Sequence, residues 1–179
     1  MSATTATSHT IPAGLITHCT AIIRGHHNAD ITCYHAGCTD ARITLVWGGV
    51  MVAFYSADAA HGLLEAFVTA RAATARLPRL LPPPVGRDES VFARTTVSME
   101  FTRRPTYAVV QQSGPARSGD RVIHWVDLHT GPITWQIRDH AGLISVTEIL
   151  HRAYTSAIAV FPDGAQHQDD PTCGDHDAA

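Results

Sequence analysis

The sequence predicts an α+β domain made of two tandem β-β-β-β-α repeats, forming a pseudo-two-fold antiparallel sheet domain with two packing helices. Three observations carry that prediction. Two short turn signals, Gly48-Gly49 and Thr130-Gly131, each join runs rich in β-branched and aromatic residues. After each hairpin the apolar period lengthens from that of a strand to that of a helix. Three consecutive prolines, Pro82 to Pro84, divide the chain so that the same order of events stands on either side. The expected organisation is a disordered leader at 1–13, a first repeat at 14–76, a Pro-rich linker at 77–90, a second repeat at 91–161 and an acidic disordered tail at 162–179.

Each element follows from local chemistry. The run from Leu15 to Arg24 is rich in β-branched residues and ends at Gly25, which predicts a first strand. Asn28 and Asp30 supply turn chemistry before a short second strand at 31–35, closed by Ala36-Gly37. Strands at 42–47 and 50–56 flank the glycine pair. Asp58 then reads as an N-cap, followed at helical spacing by Leu63, Leu64, Phe67 and Val68 as far as Arg76. Beyond the linker, odd positions of 91–101 are the more apolar, predicting a strand with one buried face. A sixth strand is expected at 107–111, a polar loop at 113–120, and a second hairpin from 122–129 and 133–138. Asp139 caps a last helix that carries Leu143, Val146, Ile149, Leu150 and Tyr154 to about residue 158. Laying Asp58 on Asp139 places Phe54 on Trp135, Val52 on Ile133 and Val68 on Ile149.

Turn register sorts hairpin residues onto faces. With Thr130-Gly131 as the turn, Leu128 faces Ile133 and Val126 faces Trp135 on the core side. Asp127/Thr134, Trp125/Gln136 and Ile123/Arg138 then lie on the displayed side. The first hairpin buries Ile43/Phe54, Leu45/Val52 and Trp47/Val50 and displays Arg42/Tyr55. Both halves thus offer an aromatic beside an arginine, a combination that stacks bases and contacts phosphate. The element order of residues 15–160 resembles the Whirly type of single-stranded nucleic-acid-binding fold, in which two β-β-β-β-α repeats form a pseudo-dimer. It is similar also to the related positive-cofactor proteins, which use one such repeat as a homodimer. That resemblance implies a sheet-surface binder of single-stranded nucleic acid.

Charge bears on the same question. The formal net charge is -3, and every one of the 13 basic residues is arginine. Residues 163–179 hold five of the 16 acids and no arginine, leaving 13 arginines against 11 acids elsewhere. The body is therefore weakly basic and its end acidic. No apolar run approaches the ~20 residues of a membrane span, and the first residues lack the charged and apolar regions of a secretory signal, so a cytoplasmic location is expected. Thiols would be reduced there.

His18, Cys19, His26, His27, Cys33, His35 and Cys38 crowd residues 18–38. Cys33, Cys38, His26 and His35 are the candidate ligands should this cluster hold zinc, although no second tight pair accompanies Cys33 and Cys38. No catalytic motif of the nucleophile-elbow, metalloprotease-helix, phosphate-loop or dinucleotide kind occurs. The expected function is thus a non-enzymatic binding module without a cofactor. Trp125, Gln136, Arg138, Tyr55, Arg42, Arg103 and Arg104 are its candidate contacts to single-stranded nucleic acid. The alternatives are a protein-interaction or assembly module using the same faces, and a small-ligand or enzymatic pocket between the repeats.

Overall fold

The computed structural model describes residues 16–82, 96–116 and 118–173. Expectations for the leader, for residues 83–95 of the linker and fifth strand, and for 174–179 of the tail fall outside the described residues. The strands are β1 (Cys19–Ile23), β2 (Asp30–Tyr34), β3 (Arg42–Trp47), β4 (Val50–Phe54), β5 (Val97–Phe101), β6 (Tyr107–Pro115), β7 (Val122–Thr130) and β8 (Ile133–Ile137). The helices are α1 (Ala57–Ala70), between β4 and β5, and α2 (His140–Val160), after β8. The α+β class agrees with expectation. The sheets, however, are two and mixed: β1-β8-β7-β6 and β2-β3-β4-β5.

In each sheet three strands are antiparallel and the fourth is parallel. β5 lies parallel to β4, with Val50 beside Val97 and Phe54 beside Phe101. β1 lies parallel to β8, with Cys19 beside Ile133 and Ile23 beside Ile137. The first strand of each expected repeat therefore joins the sheet of the other. For β5 the cause is connectivity, because a chain that leaves β4 through a helix returns to its neighbour in the same direction. β1 fills the corresponding place beside β8.

The β3–β4 hairpin has the expected register, Leu45 opposite Val52 across Gly48-Gly49. The β7–β8 hairpin does not. Its turn is Gly131-Pro132, so Leu128 pairs with Trp135, Val126 with Ile137 and Asp127 with Gln136. Gly131 has φ of 64°; a β-branched Thr130 resists that conformation and a proline cannot adopt it, so glycine must take the first turn position. The slip is an even number of residues, so every side chain keeps its predicted face.

Helix starts reveal how the halves lock together. Ser56, not Asp58, caps α1, its Oγ accepting the Ala59 N–H at 3.1 Å. The N–H groups of Ala57 and Asp58 are taken by the Asp163 carboxylate at 3.0 and 3.1 Å, and Asp163 lies beyond the end of α2. At α2 the Asp139 side chain accepts the Gly142 N–H at 2.8 Å. The His140 and Ala141 N–H groups donate to the carbonyls of Pro78 and Arg79, each at 3.0 Å, in the chain beyond α1. Each helix is thus closed at its N-terminus by the segment that follows the other. With Ser56 on Asp139, Phe54 falls on Ile137, Leu63 on Val146, Phe67 on Leu150 and Ala70 on Ala153, all buried.

Residues 162–173, expected within a disordered tail, fold back over the helices in two short 3-10 turns. The Tyr154 hydroxyl donates to the His167 carbonyl at 2.9 Å, His61 Nε2 bonds the Asp169 carbonyl at 2.8 Å, and His151 Nε2 bonds Asp170 at 2.8 Å. Polar composition suggested a tail; specific partners on both helices hold it instead. Gly164 allows the reversal, since a Cβ there would overlap the backbone carbonyl of Ile158. Gly164→Ala should therefore lower stability by about 1–3 kcal/mol, read from urea unfolding.

The Asp170 anchor also predicts a pH response. Burial raises the pKa of this carboxyl, but the Thr172 N–H, His151 and the Thr172 hydroxyl outweigh that effect and bring it down to about 2. A carboxyl lowered in the folded state contributes stability above its unfolded pKa of ~3.9, and the contribution disappears as pH falls through the folded value. The melting-temperature gap between wild type and Asp170→Asn should close as the pH falls from about 5 toward 2.

One core unites both sheets and both helices. Trp135 is its hub, fully buried, with Trp47 at 5.8 Å and Phe67 edge-on at 5.7 Å between ring centroids. Its Nε1 donates to Thr130 Oγ1 at 2.9 Å, so the one polar group of the ring is satisfied.

Candidate functional site

Alternation along β7 buries Val126, Leu128 and Thr130 and turns Ile123, Trp125, Asp127 and His129 outward. Thr134, Gln136 and Arg138 share that outer face. Trp125, Gln136 and Arg138 are therefore brought together as predicted, and each is half-buried. The Arg138 guanidinium lies over the Trp125 ring, 5.1 Å from its centroid. Gln136 Nε2 reaches Asp127 at 3.4 Å, and His129 Nδ1 bonds Thr134 Oγ1 at 2.9 Å. Gly114 sits against the Trp125 ring edge, where a Cβ would meet it at 3.3 Å. The indole Nε1 has no acceptor among the described residues.

Arg138 is electrostatically poised. Burial, then the nearby Arg24 charge, push its pKa down, while Asp127 pulls it up less strongly. Arg24 itself donates to the Pro82 carbonyl. The guanidinium stays charged, so its lost hydration and the repulsion from Arg24 are costs that a bound anion would relieve.

A cavity of about 490 Å³ opens next to this pair. Its apolar wall comes from Leu77, Leu81, Val122 and Ile123, and Arg76, Arg121 and Arg138 stand around it. A smaller cavity of about 140 Å³ connects Arg76 and Leu77 with Gln112, His124 and Trp125. The wall is part linker and part β7, placing the groove at the seam between the halves. Sequence reasoning missed Arg76, Leu77 and Arg121 because the first two stand in the turn and linker beyond α1 and the third in the loop before β7, far apart along the chain. The sole signal was the excess of arginine outside the tail.

The remaining predicted contacts lie elsewhere. Arg42 and Tyr55 occupy in the other sheet the places that Trp125 and Arg138 hold here, with aromatic and cation exchanged. Arg42 has its guanidinium 4.7 Å from the centroid of Tyr34, its strand neighbour, and the Tyr55 hydroxyl donates to Glu100 at 3.2 Å. That face carries an acid beside its aromatic. Arg103 is exposed in the β5–β6 turn, beside the end of β6 remote from Trp125. Arg104 turns onto α1, where it pairs with Asp58 at 3.3 Å and with Glu65, and donates to His61 Nδ1 at 2.9 Å. Tyr107 adds its hydroxyl to Glu65 at 3.0 Å. The missing Cβ of Gly62 leaves the space that the Arg104 side chain crosses. Arg104 is thus committed to the helix and withdrawn from the sheet surface.

Cys33, Cys38, His26 and His35 are all exposed around β2. Among the described residues no group of three His, Cys, Asp or Glu side chains is placed to hold a metal ion. A third cavity, about 620 Å³, lies over α2 between His27, Glu148, His151 and Arg152. Its charges are of both signs, and His151 is already bonded to Asp170. No helix among the described residues is long and apolar enough to cross a membrane.

No family model, curated protein or solved structure matches the chain.

Proposed function

We propose that the chain is a non-enzymatic binding module that takes single-stranded nucleic acid on the outer face of the β1-β8-β7-β6 sheet. The observation that carries this reading is the Arg138–Trp125 stack, whose Arg138 borders an apolar groove also lined by Arg76 and Arg121. A base has an apolar face and sits on a negatively charged backbone, and the groove offers a partner to each part. Arg138 swinging off the indole toward a phosphate would free the ring for a base. Element order that resembles the Whirly type supports the same assignment. The other sheet stacks Arg42 on Tyr34, and there the neighbouring Tyr55 is bonded to an acid, Glu100.

Three arginines at the groove set the scale of the electrostatic contribution. Anisotropy of a labelled oligonucleotide between low and moderate salt should give a log-log slope of about -2, from roughly 0.7 counterions per phosphate neutralised on a single strand. An absence of binding even at low ionic strength contradicts the proposal. Binding with no salt dependence would mean that the arginines neutralise no phosphate and would contradict the electrostatic part of the proposal.

A further inference from the structure

We infer that His61 is a pH-sensitive latch: in its neutral form it fastens the corner between β5 and β6 to α1 through Arg104, and a second ring proton loosens that corner. The latch follows from what the two ring nitrogens touch. Nε2 lies 2.8 Å from the Asp169 carbonyl, which can only accept, and Nδ1 lies 2.9 Å from Arg104 Nη1, which can only donate. The neutral tautomer is therefore fixed, with its hydrogen on Nε2 and the lone pair of Nδ1 turned to the guanidinium. A second proton has one place to go. On Nδ1 it points at the Arg104 N–H, and the hydrogen bond becomes a contact between two donors and two cations.

Neighbouring groups do not remove that conflict. On α1, Glu65 stands 3.8 Å from Nδ1 and Asp58 is near, but both carboxylates already accept from Arg104, and Glu65 also takes the Tyr107 hydroxyl. In the segment beyond α2, the His167 ring lies 6.1 Å from that of His61, between Asp58 and Asp163 at 3.7 Å from each. Asp170 is paired with His151, and the Tyr154 ring of α2 meets His61 at 5.5 Å between centroids. The His61 side chain is only 14 % exposed. Burial first, then the charges of Arg104 and His167, hold its pKa below the ordinary histidine value, and the Asp169 bond and Asp58 offset this only in part. Opening the corner lets the ring titrate normally, so protons favour the open form. The closed form loses stability as the pH falls from about 6.5 through the lower closed value. What opens is local: the Arg104 side chain crosses α1 at Gly62, and residues 102–106 form neither helix nor strand. Opening adds the Arg104 charge to that of the exposed Arg103. The Nε2 hydrogen survives protonation, so the Asp169 bond stays in place. The inference stands independently of what the Trp125 face binds.

Nitrogen NMR of the full chain, without nucleic acid, tests the latch. At neutral pH His61 should show the Nε2–H tautomer, and its titration should centre below about 6.5 in wild type and move up in Arg104→Gln. Amide exchange at Thr102, Arg103, Arg104 and Thr106, corrected for the intrinsic pH dependence, should quicken as the pH falls from about 7 to about 5. The rise should reach a factor of up to about ten for each pH unit between the open and closed pKa of His61. His61→Asn, whose side-chain oxygen still accepts from Arg104 but takes no proton, should abolish that acceleration. An Nδ1–H tautomer, or a His61 titration at or above about 6.5, overturns the inference. So does a titration that stays put in Arg104→Gln, or an equal acceleration in His61→Asn.

Discussion

Asp139→Ala is expected to cost about 3–5 kcal/mol, a large part of the 5–15 kcal/mol that holds a domain of this kind together. The Asp139 side chain is fully buried, and its two oxygens accept N–H groups from three places: Gly25 after β1, Leu81 in the linker and Gly142 in α2. Removing the carboxylate leaves those donors dry, at about 1–3 kcal/mol each before relaxation. Asp139→Asn keeps one acceptor oxygen but sets an NH2 against N–H donors, so it should recover only part of the loss. Asp163 gives the contrasting case. It also bonds two helix N–H groups, but its side chain is 28 % exposed, so water replaces it and Asp163→Ala should cost about 1 kcal/mol. Equilibrium urea unfolding of the three variants reads the order directly; equal losses for Asp139→Ala and Asp163→Ala would refute the argument from burial.

Trp125→Ala is expected to weaken oligonucleotide binding by about ten- to a hundred-fold, the range that one base stacked on an aromatic ring provides. Stability should change little in comparison, because the ring lies on the outer face and not in the core. Arg138→Gln removes one charge and the cover of the indole together. It should flatten the salt slope by about 0.7 while leaving the stacking contribution in place. Arg104→Gln provides the control: its partners are Asp58, Glu65 and His61, so it should alter the melting temperature and not the affinity. Anisotropy titrations of the three variants at one salt concentration distinguish these outcomes, and an unchanged affinity for Trp125→Ala would remove the stacking surface from the account.

Much of the local structure was legible because its causes are local. Gly48-Gly49 fixed one hairpin, alternation assigned the faces of both, and Asp139 marked the start of α2. The errors also have local causes. Asp58 competed with Ser56 for the cap of α1, and the choice between them depends on which side chain reaches the Ala59 N–H. At Thr130-Gly131-Pro132 the sequence contains a turn without stating its register until the positive φ is assigned to Gly131. What could not be read is long-range. Nothing in the Cys19–Ile23 segment states that it will lie parallel to β8, since pairing across more than a hundred residues leaves no period. For the same reason the closing of each helix by the segment beyond the other, and the meeting of Arg76 and Arg121 with Trp125 and Arg138, became visible only in three dimensions. Arg104 was misplaced because an arginine after a strand looks the same in sequence whether it turns to solvent or to Glu65.

The most direct test of the binding surface uses the chain's own fluorescence. Of the three tryptophans, Trp47 and Trp135 are buried in the core, and Trp125 alone is partly exposed. Titration with a short single-stranded oligonucleotide at low salt should quench the emission, and the quench should vanish in Trp125→Phe while circular dichroism stays unchanged. Binding detected by anisotropy with no change in the emission of wild type would contradict the account, because the nucleic acid would then lie away from the Trp125 face.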